Sequence, residues 1–378
     1  MKKIKVMSVF GTRPEAIKMC PLVLELEMHP EIESIVCVTG QHRQMLDQAI
    51  DIFRVKIDYD LNIMRPSQTL TTITVDVLTK IEEVFEQAHP DIVLVHGDTS
   101  TSFVVALAAF YHQIPVGHVE AGLRTYDKYS PFPEEMNRCL TGRIADLHFA
   151  PTKYNEQNLL KEGISKNIFV TGNTVIDAFK TTVREGYRFK SPELQEVDLY
   201  NKRIILMTAH RRENLGEPLR NICRAVKRVV EAFEDVTVIY PVHLNPAVRE
   251  IVIGILGNIE RVKLIEPIDV TDMHNLMSVS YMALTDSGGL QEEAPSLGVP
   301  VLVLRTETER PEAVEAGTVK VVGIAEDTIY TEAYILLTDK IAYKKMVTAV
   351  NPYGDGTASK QIVDILKHLF YNLSEKSK

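Results

Sequence analysis

The chain has 378 residues, more than one hydrophobic core usually serves, so two domains are expected. Hydrophobic residues make up 45% and charged residues 25%, which excludes a disordered chain, a collagen-like chain and a disulfide-stapled miniprotein. The 42 basic and 51 acidic residues leave a formal charge of −9, so no nucleic-acid partner is expected, although a local basic site for a phosphate stays open.

Short runs rich in β-branched residues fall at 4–10, 34–39, 92–96, 115–119, 147–150 and 168–171, and again at 204–208, 236–240, 262–265, 282–285, 301–304 and 319–322. Most are continuously apolar, the pattern of strands covered on both faces and hence of parallel strands under helices. Helical patterns lie between them, as at 68–88, 100–111 and 217–233. This alternation predicts an α/β chain with doubly wound parallel sheets. Six runs followed by six runs predict two Rossmann-like domains, 1–181 and 202–356, joined by the polar stretch 182–201. A helix over 357–373 and a polar tail complete the chain, and 357–378 is expected to pack back toward the first domain. No apolar run reaches the ~18–20 residues that cross a bilayer, and no signal peptide is read at the start, so a cytoplasmic location without membrane contact is expected. Cys20, Cys37, Cys139 and Cys223 are widely spaced and read as plain thiols, and no His/Cys spacing points to a metal.

Ligands of open α/β sheets bind at the carboxyl ends of the strands, so the residues after each run carry the functional reading. The first run ends in Gly11-Thr12-Arg13-Pro14-Glu15, followed by Lys18. Gly11 permits a tight turn, and Arg13 and Lys18 flank a helix N-terminus that attracts anions. The dinucleotide fingerprint and the P-loop are both absent. After the third run, Asp98 is either a functional carboxylate or a helix cap. After the fourth, Glu120 ends a buried strand. It needs a task or a partner, and Arg124 is the plain partner. His118 reads as a structural histidine. Glu134 falls in the first turn of a helix opened by Pro133, and Arg138 lies four residues on, the spacing of a stabilising pair. In the second half, His210-Arg211-Arg212 after a strand suits a pyrophosphate. Asp286-Ser287-Gly288-Gly289 runs from a strand into a helix, where glycines let backbone N–H groups approach an anion. Glu293 lies about one turn inside and can accept ribose hydroxyls, and Arg310 adds a cation. Plain capping by Asp286 or Ser287 is the alternative.

Seven segments together, GTRPEAIKMCPL, HGDTSTSF, HVEAGLRT, PFPEEMNR, TAHRREN, LTDSGGLQEEAPSLGVPVLVLR and TERPEAVEAGT, resemble in order the non-hydrolysing bacterial UDP-N-acetylglucosamine 2-epimerases over residues 4–367. The resemblance implies a GT-B-like fold of two Rossmann-like domains with a cleft between them, a homodimer, and neither metal nor NAD cofactor. It implies reversible interconversion of UDP-GlcNAc and UDP-ManNAc by anti elimination of UDP to 2-acetamidoglucal and re-addition. The product would supply ManNAc for cell-surface polysaccharide or teichoic acid linkage synthesis. Carried over residue by residue, it puts UDP contacts on Arg13, Lys18, His210, Ser287, Gly288, Gly289, Glu293 and Arg310. It puts catalysis on Asp98, Glu120 and Glu134, supported by Arg138 and His210.

Crowded carboxylates are expected to raise each other's pKa, and which of the three takes the proton stays open. Many relatives bind a second UDP-GlcNAc as an activator, and the matching residues are Gln41, Gln44, Glu134, Arg211 and His243. One departure stands out: Ser67 occupies a position where such relatives carry an arginine. A glycosyltransferase, a hydrolysing epimerase and a UDP-sugar sensor are the competing readings. The sensor would be marked by loss of Asp98, Glu120 or Glu134, and all three are present.

Overall fold

A computed structural model describes residues 3–40, 43–65, 67–199 and 201–376, and the side chains of 43–45 and 371–376 lie outside that description. The chain divides into two units, one made of Met1–Thr181 with Tyr353–Lys378 and the other of Thr182–Pro352. In the first, β1 (Ile4–Phe10), β2 (Ile32–Val38), β3 (Tyr59–Asp60), β4 (Ile92–His96), β5 (Val116–Val119), β6 (Leu147–Ala150) and β7 (Ile168–Val170) form one sheet. Its order is β3-β2-β1-β4-β5-β6-β7 and every pairing is parallel. In the second unit, β8 (Arg203–Thr208), β9 (Val236–Pro241), β10 (Val262–Ile265), β11 (Met282–Thr285), β12 (Val301–Val303) and β13 (Val319–Val321) follow the order β10-β9-β8-β11-β12-β13. They too are all parallel. Each sheet reverses its winding beside its first strand, between β1 and β4 and between β8 and β11, which is where such sheets open a ligand crevice. The two-residue β3 was not expected, because so short a pairing leaves no hydrophobic pattern.

Apolar spacing explains the helices that cover the sheets. In Glu217–Ala232 the buried positions Leu219, Ile222, Cys223, Val226, Val229 and Val230 recur at helical spacing and pack with Ile205, Met207, Val238 and Leu284. Its other face carries Arg224 and Arg228, both paired with Glu326. In Leu70–Ala88 the residues Val77, Ile81 and Phe85 pack with Met7, Val9, Val93 and Val95 of the first sheet. Ile81 is fully buried, and Ile81→Ala would cost ~2–5 kcal/mol through lost burial and the cavity left behind.

Two stretches differ from their sequence reading. Residues 182–201, expected as a linker, belong to the second unit. Asp272 holds them there, accepting the hydroxyl of Tyr187 at 2.7 Å and the backbone N–H groups of Lys190 at 3.0 Å and Ser191 at 2.8 Å. Phe189, Leu194 and Leu199 are buried beneath. An anchor built on one carboxylate has no periodicity to read. Residues 353–356, read above as the end of the second domain, belong to the first unit together with the final helix, Ala358–Lys376, which was expected to pack there. Its first N–H groups, on Ala358 and Ser359, donate to Asp177 at 3.2 and 3.0 Å, and Lys367 pairs with Glu31 at 2.7 Å.

Cys20, Cys37 and Cys223 are buried, and burial pushes their thiols up, that of Cys223 to about 12. Among the described residues no helix is long and apolar enough to cross a membrane.

Candidate active site

At the carboxyl edge of the first sheet, one buried side chain joins two loops. Thr12 and Glu15 form a capping box at the start of Arg13–Glu27. Glu15 Oε2 accepts the N–H of Gly11 at 3.0 Å, and both the N–H and the hydroxyl of Thr12 at 2.8 Å. Its Oε1 accepts the hydroxyls of Thr99 at 2.6 Å, on the loop after β4, and of Ser102 at 3.1 Å, in the first turn of the helix that follows. A Cβ on Gly11 would lie 1.9 Å from Thr39 Oγ1, so only glycine fits where the chain leaves β1.

Thr99 rather than Asp98 caps the helix Ser100–Tyr111, accepting from the N–H of Ser102. Asp98 is thereby free of a capping role, and Arg138 Nη2 donates to its carboxylate. Arg138 Nη1 donates to Glu135 at 3.2 Å, and Glu135 also accepts the N–H of Thr125 at 3.1 Å and of Tyr126 at 2.9 Å. The expected Glu134–Arg138 pair is therefore replaced by Glu135–Arg138, one residue closer. Glu134 stands half-buried as the first residue of Glu134–Ile144.

Glu120 adopts the left-handed region, φ 63°, just past β5, unusual for a residue with a side chain. Lys18 Nζ and Asn173 Nδ2 donate to its Oε2, the latter at 2.8 Å, and His96 Nε2 lies 3.7 Å away. Arg124 is not its partner. It binds Glu162 through two N–H groups at 2.6 and 2.9 Å. Burial pushes the Glu120 carboxyl up, but Lys18 and His96 outweigh it, and the net holds it well below the usual carboxylate range. The expected mutual raising of carboxylates fails at Glu120 because a cation sits against it. A Cβ on Gly97 would lie 3.5 Å from Glu120 Oε1, so the β4 and β5 loops meet here. His118 Nε2 lies 2.7 Å from the carbonyl of Gly97, and burial holds its pKa down to about 3, a neutral structural ring.

The carboxyl edge of the second sheet is organised by Asp286, which directly follows β11 and is fully buried. Its Oδ2 accepts the N–H groups of His210 and Arg211, each at 2.8 Å, and Asn214 Nδ2 at 3.0 Å. This clamps the loop after β8 to the loop after β11. His210 Nδ1 lies 3.4 Å from Asp286 Oδ1, and the His243 ring stacks on His210 at 5.4 Å between centroids. Neither Asp286 nor Ser287 caps Gly288–Glu293 with a side-chain bond. Arg310 Nε donates to Glu292, and Arg310 Nη1 to the carbonyl of Glu309 at 3.1 Å. Glu293 lies 3.4 Å from His274 Nε2, and a Cβ on Gly289 would come within 3.1 Å of Glu293 Oε1. Imidazole, guanidinium and a glycine-led helix start suit the diphosphate of a nucleotide. The carboxylates of the first unit suit proton transfer.

A sequence profile of UDP-N-acetylglucosamine 2-epimerases matches residues 24–367. The UDP-N-acetylglucosamine 2-epimerase of Bacillus subtilis is 62% identical over 373 residues, covering 98% of this chain and 97% of its own. That of Salmonella typhimurium is 52% identical over 370 residues, covering 96% and 98%. The solved structure of UDP-GlcNAc 2-epimerase from Neisseria meningitidis bound to UDP-GlcNAc aligns with a TM-score of 0.85 at 50% identity, covering 97% of this chain and all of that one. The chain belongs to the non-hydrolysing bacterial UDP-N-acetylglucosamine 2-epimerase family.

This family member is an isomerase, and its two Rossmann-like units carry the GT-B-like fold of the solved epimerases. Of the residues that the resemblance singles out, Asp98 and Glu120 stand at the carboxyl edge of the first sheet, Asp98 bonded to Arg138 and Glu120 to Lys18. Ser287, Gly288, Gly289, Arg310, His210, Arg211 and His243 fall on the loops and helix starts of the second unit, and Glu293 ends the short helix Gly288–Glu293. Gln41 lies outside the described residues, as does the side chain of Gln44. Ser67 is exposed with φ 58°, and nearby Arg65 pairs with Asp76 at 3.1 Å. Sequence reasoning passed over Glu15, Glu135, Asn173 and Asn214. Only Glu15 carried a signal, the three-residue capping-box spacing from Thr12.

Proposed function

We propose that this epimerase interconverts UDP-GlcNAc and UDP-ManNAc by anti elimination of UDP to 2-acetamidoglucal and re-addition from the other face. The observation that carries the reading is the pairing of two carboxylates at the ends of β4 and β5 each with its own cation, Asp98 with Arg138 and Glu120 with Lys18. The proton on carbon 2 is weakly acidic, so a placed carboxylate must take it as the bond from carbon 1 to the diphosphate oxygen breaks. The electron pair of the broken bond stays on UDP, which Arg13, Lys18, His210, Ser287, Gly288, Gly289, Glu293 and Arg310 receive. Epimerisation returns the proton to the opposite face of carbon 2, so a second acid–base group is needed. Asp98, Glu120 and Glu134 provide the set. Lys18 gives Glu120 a way to sense substrate: a diphosphate that draws Lys18 off raises the basicity of the carboxylate it leaves.

In this reading the enzyme is a cytoplasmic homodimer that supplies ManNAc for envelope polysaccharides. Glu134, Arg211, His243, Gln41 and Gln44 answer to a second UDP-GlcNAc that activates turnover. Proton NMR of UDP-GlcNAc with the purified protein and no acceptor tests the activity. UDP-ManNAc should appear and free ManNAc should not. Free ManNAc would make it a hydrolysing enzyme, and an inert mixture would favour a glycosyltransferase. UDP-ManNAc alone should turn over slowly until a trace of UDP-GlcNAc is added, and full speed from the start would remove the activator role.

A further inference from the structure

His210 is held from two sides. Its side chain is 39% exposed, while its Nδ1 faces the fully buried Asp286 Oδ1 at 3.4 Å. Asp286 Oδ2 is already committed to three N–H donors, those of His210, Arg211 and Asn214. Asp286 Oδ1 has no hydrogen-bond partner among the described residues. One buried acceptor thus remains, and the group beside it is an imidazole nitrogen. On the ring face, His243 stacks at 5.4 Å with 7° between planes, and the N–H of Asn245 donates to His243 Nδ1 at 3.1 Å, so the stacking ring is itself oriented.

We propose that Asp286 is a positioning residue that keeps the Nδ1–H of His210 turned toward the buried carboxylate and presents Nε2 to the nucleotide diphosphate, so that the ring takes up a proton from solvent when the diphosphate binds. The inference rests on the reading of His210 as a diphosphate ligand. The charges around the ring support it. Burial is the strongest influence and lowers the His210 pKa, with His243 and Arg211 acting in the same direction and Asp286 and Glu213 opposing them. The unliganded ring is therefore neutral at neutral pH. An incoming diphosphate adds negative charge at Nε2 while Asp286 already balances Nδ1, and the protonated ring then gives a charge-assisted hydrogen bond to the leaving group.

The substitution Asp286→Asn sharpens this. Three N–H donors require an oxygen where Oδ2 now sits, so the new amide NH2 must face Nδ1. That forces the proton of the neutral ring onto Nε2 and removes the charge that stabilises the protonated form, as with the carboxylate-to-amide change in a serine-protease triad. UDP is the probe. Calorimetry in buffers of different ionisation enthalpy should find about one proton taken up by the native enzyme on binding UDP near neutral pH. Asp286→Asn should bind UDP within about tenfold of native, take up no proton, and lose at least ~10²-fold in kcat with a smaller change in KM.

Nitrogen-15 NMR of histidine-labelled native enzyme, assigned against His210→Gln, needs no Asp286 variant. It should show the Nδ1–H form without ligand and a doubly protonated ring with UDP. A native Nε2–H form, or an Asp286→Asn enzyme with normal proton uptake and turnover, overturns the proposal. If His210→Gln binds UDP as the native enzyme does, the reading of His210 as a diphosphate ligand fails instead.

Discussion

In the proposed mechanism the working groups at the carboxyl edge of the first sheet are carboxylates and their supports are cations, whereas at the second sheet's edge the signs are exchanged. Arg138 and Lys18 hold Asp98 and Glu120 in the first unit, while Asp286 and Glu292 hold His210 and Arg310 in the second. Apart from β7, which has no counterpart, the strand orders match position for position, so Asp98 after β4 and Asp286 after β11 occupy corresponding loops. Their surroundings set them apart. Asp98 keeps its side chain 26% exposed with one arginine, and Asp286 is sealed under three N–H donors. On the proposed reading, the same residue at the same place in the fold is a reacting group where the edge is open and a support where it is closed. Burial and donor count, rather than residue type, decide the role.

The comparison breaks if the two edges do not divide chemistry from binding. Asp98→Asn, Glu120→Gln and Glu134→Gln should each cost at least ~10²-fold in turnover while UDP affinity by calorimetry stays within a few-fold. Affinity that falls in step with turnover would merge the two roles. His210→Ala and Arg13→Ala should instead weaken UDP by about tenfold as well as slow turnover, through the loss of a charged or polar donor, and native affinity in both would take them out of the site.

A smaller effect is expected at Glu15. A glutamine there offers one oxygen where two oxygens now serve five donors, so the loops after β1 and β4 should loosen. Steady-state kinetics of Glu15→Gln should show kcat down by roughly tenfold with KM little changed. An equal change in both constants would make it a binding residue.

The smallest effect concerns pH. Burial depresses His118 to about 3 and His148 to about 4, against 6.5 for an ordinary histidine. Between those values the unfolded chain binds protons that the folded chain refuses. Stability is therefore full above the ordinary value and falls as pH drops below it, by about 1.4 kcal/mol per pH unit for each ring. Urea unfolding at a series of pH values should show that slope, and His118→Gln should flatten it. An unchanged slope in the variant would mean that His118 is not the neutral ring described.

The strands were legible because both faces of each are covered and the sequence is continuously apolar there. The proposed site positions were read for a related reason, since ligand groups are expected just past those runs. What stayed hidden were the partners. Lys18 and Glu120 are 102 residues apart, and Arg138 and Asp98 are 40 apart, so no local spacing announces either pair. Local spacing in fact suggested wrong partners, Arg124 for Glu120 and Glu134 for Arg138. The segment 182–201 misled in the same way, because Asp272 anchors it largely through backbone N–H groups, which every residue type but proline supplies.

Elimination and re-addition must break the bond between carbon 2 and its hydrogen in every turnover, so the exchange of that hydrogen with solvent bears most directly on the account. UDP-GlcNAc incubated with the enzyme in deuterated water should give UDP-ManNAc carrying deuterium at carbon 2, with some 2-acetamidoglucal and free UDP escaping on long incubation. UDP-ManNAc that retains the original hydrogen would contradict it.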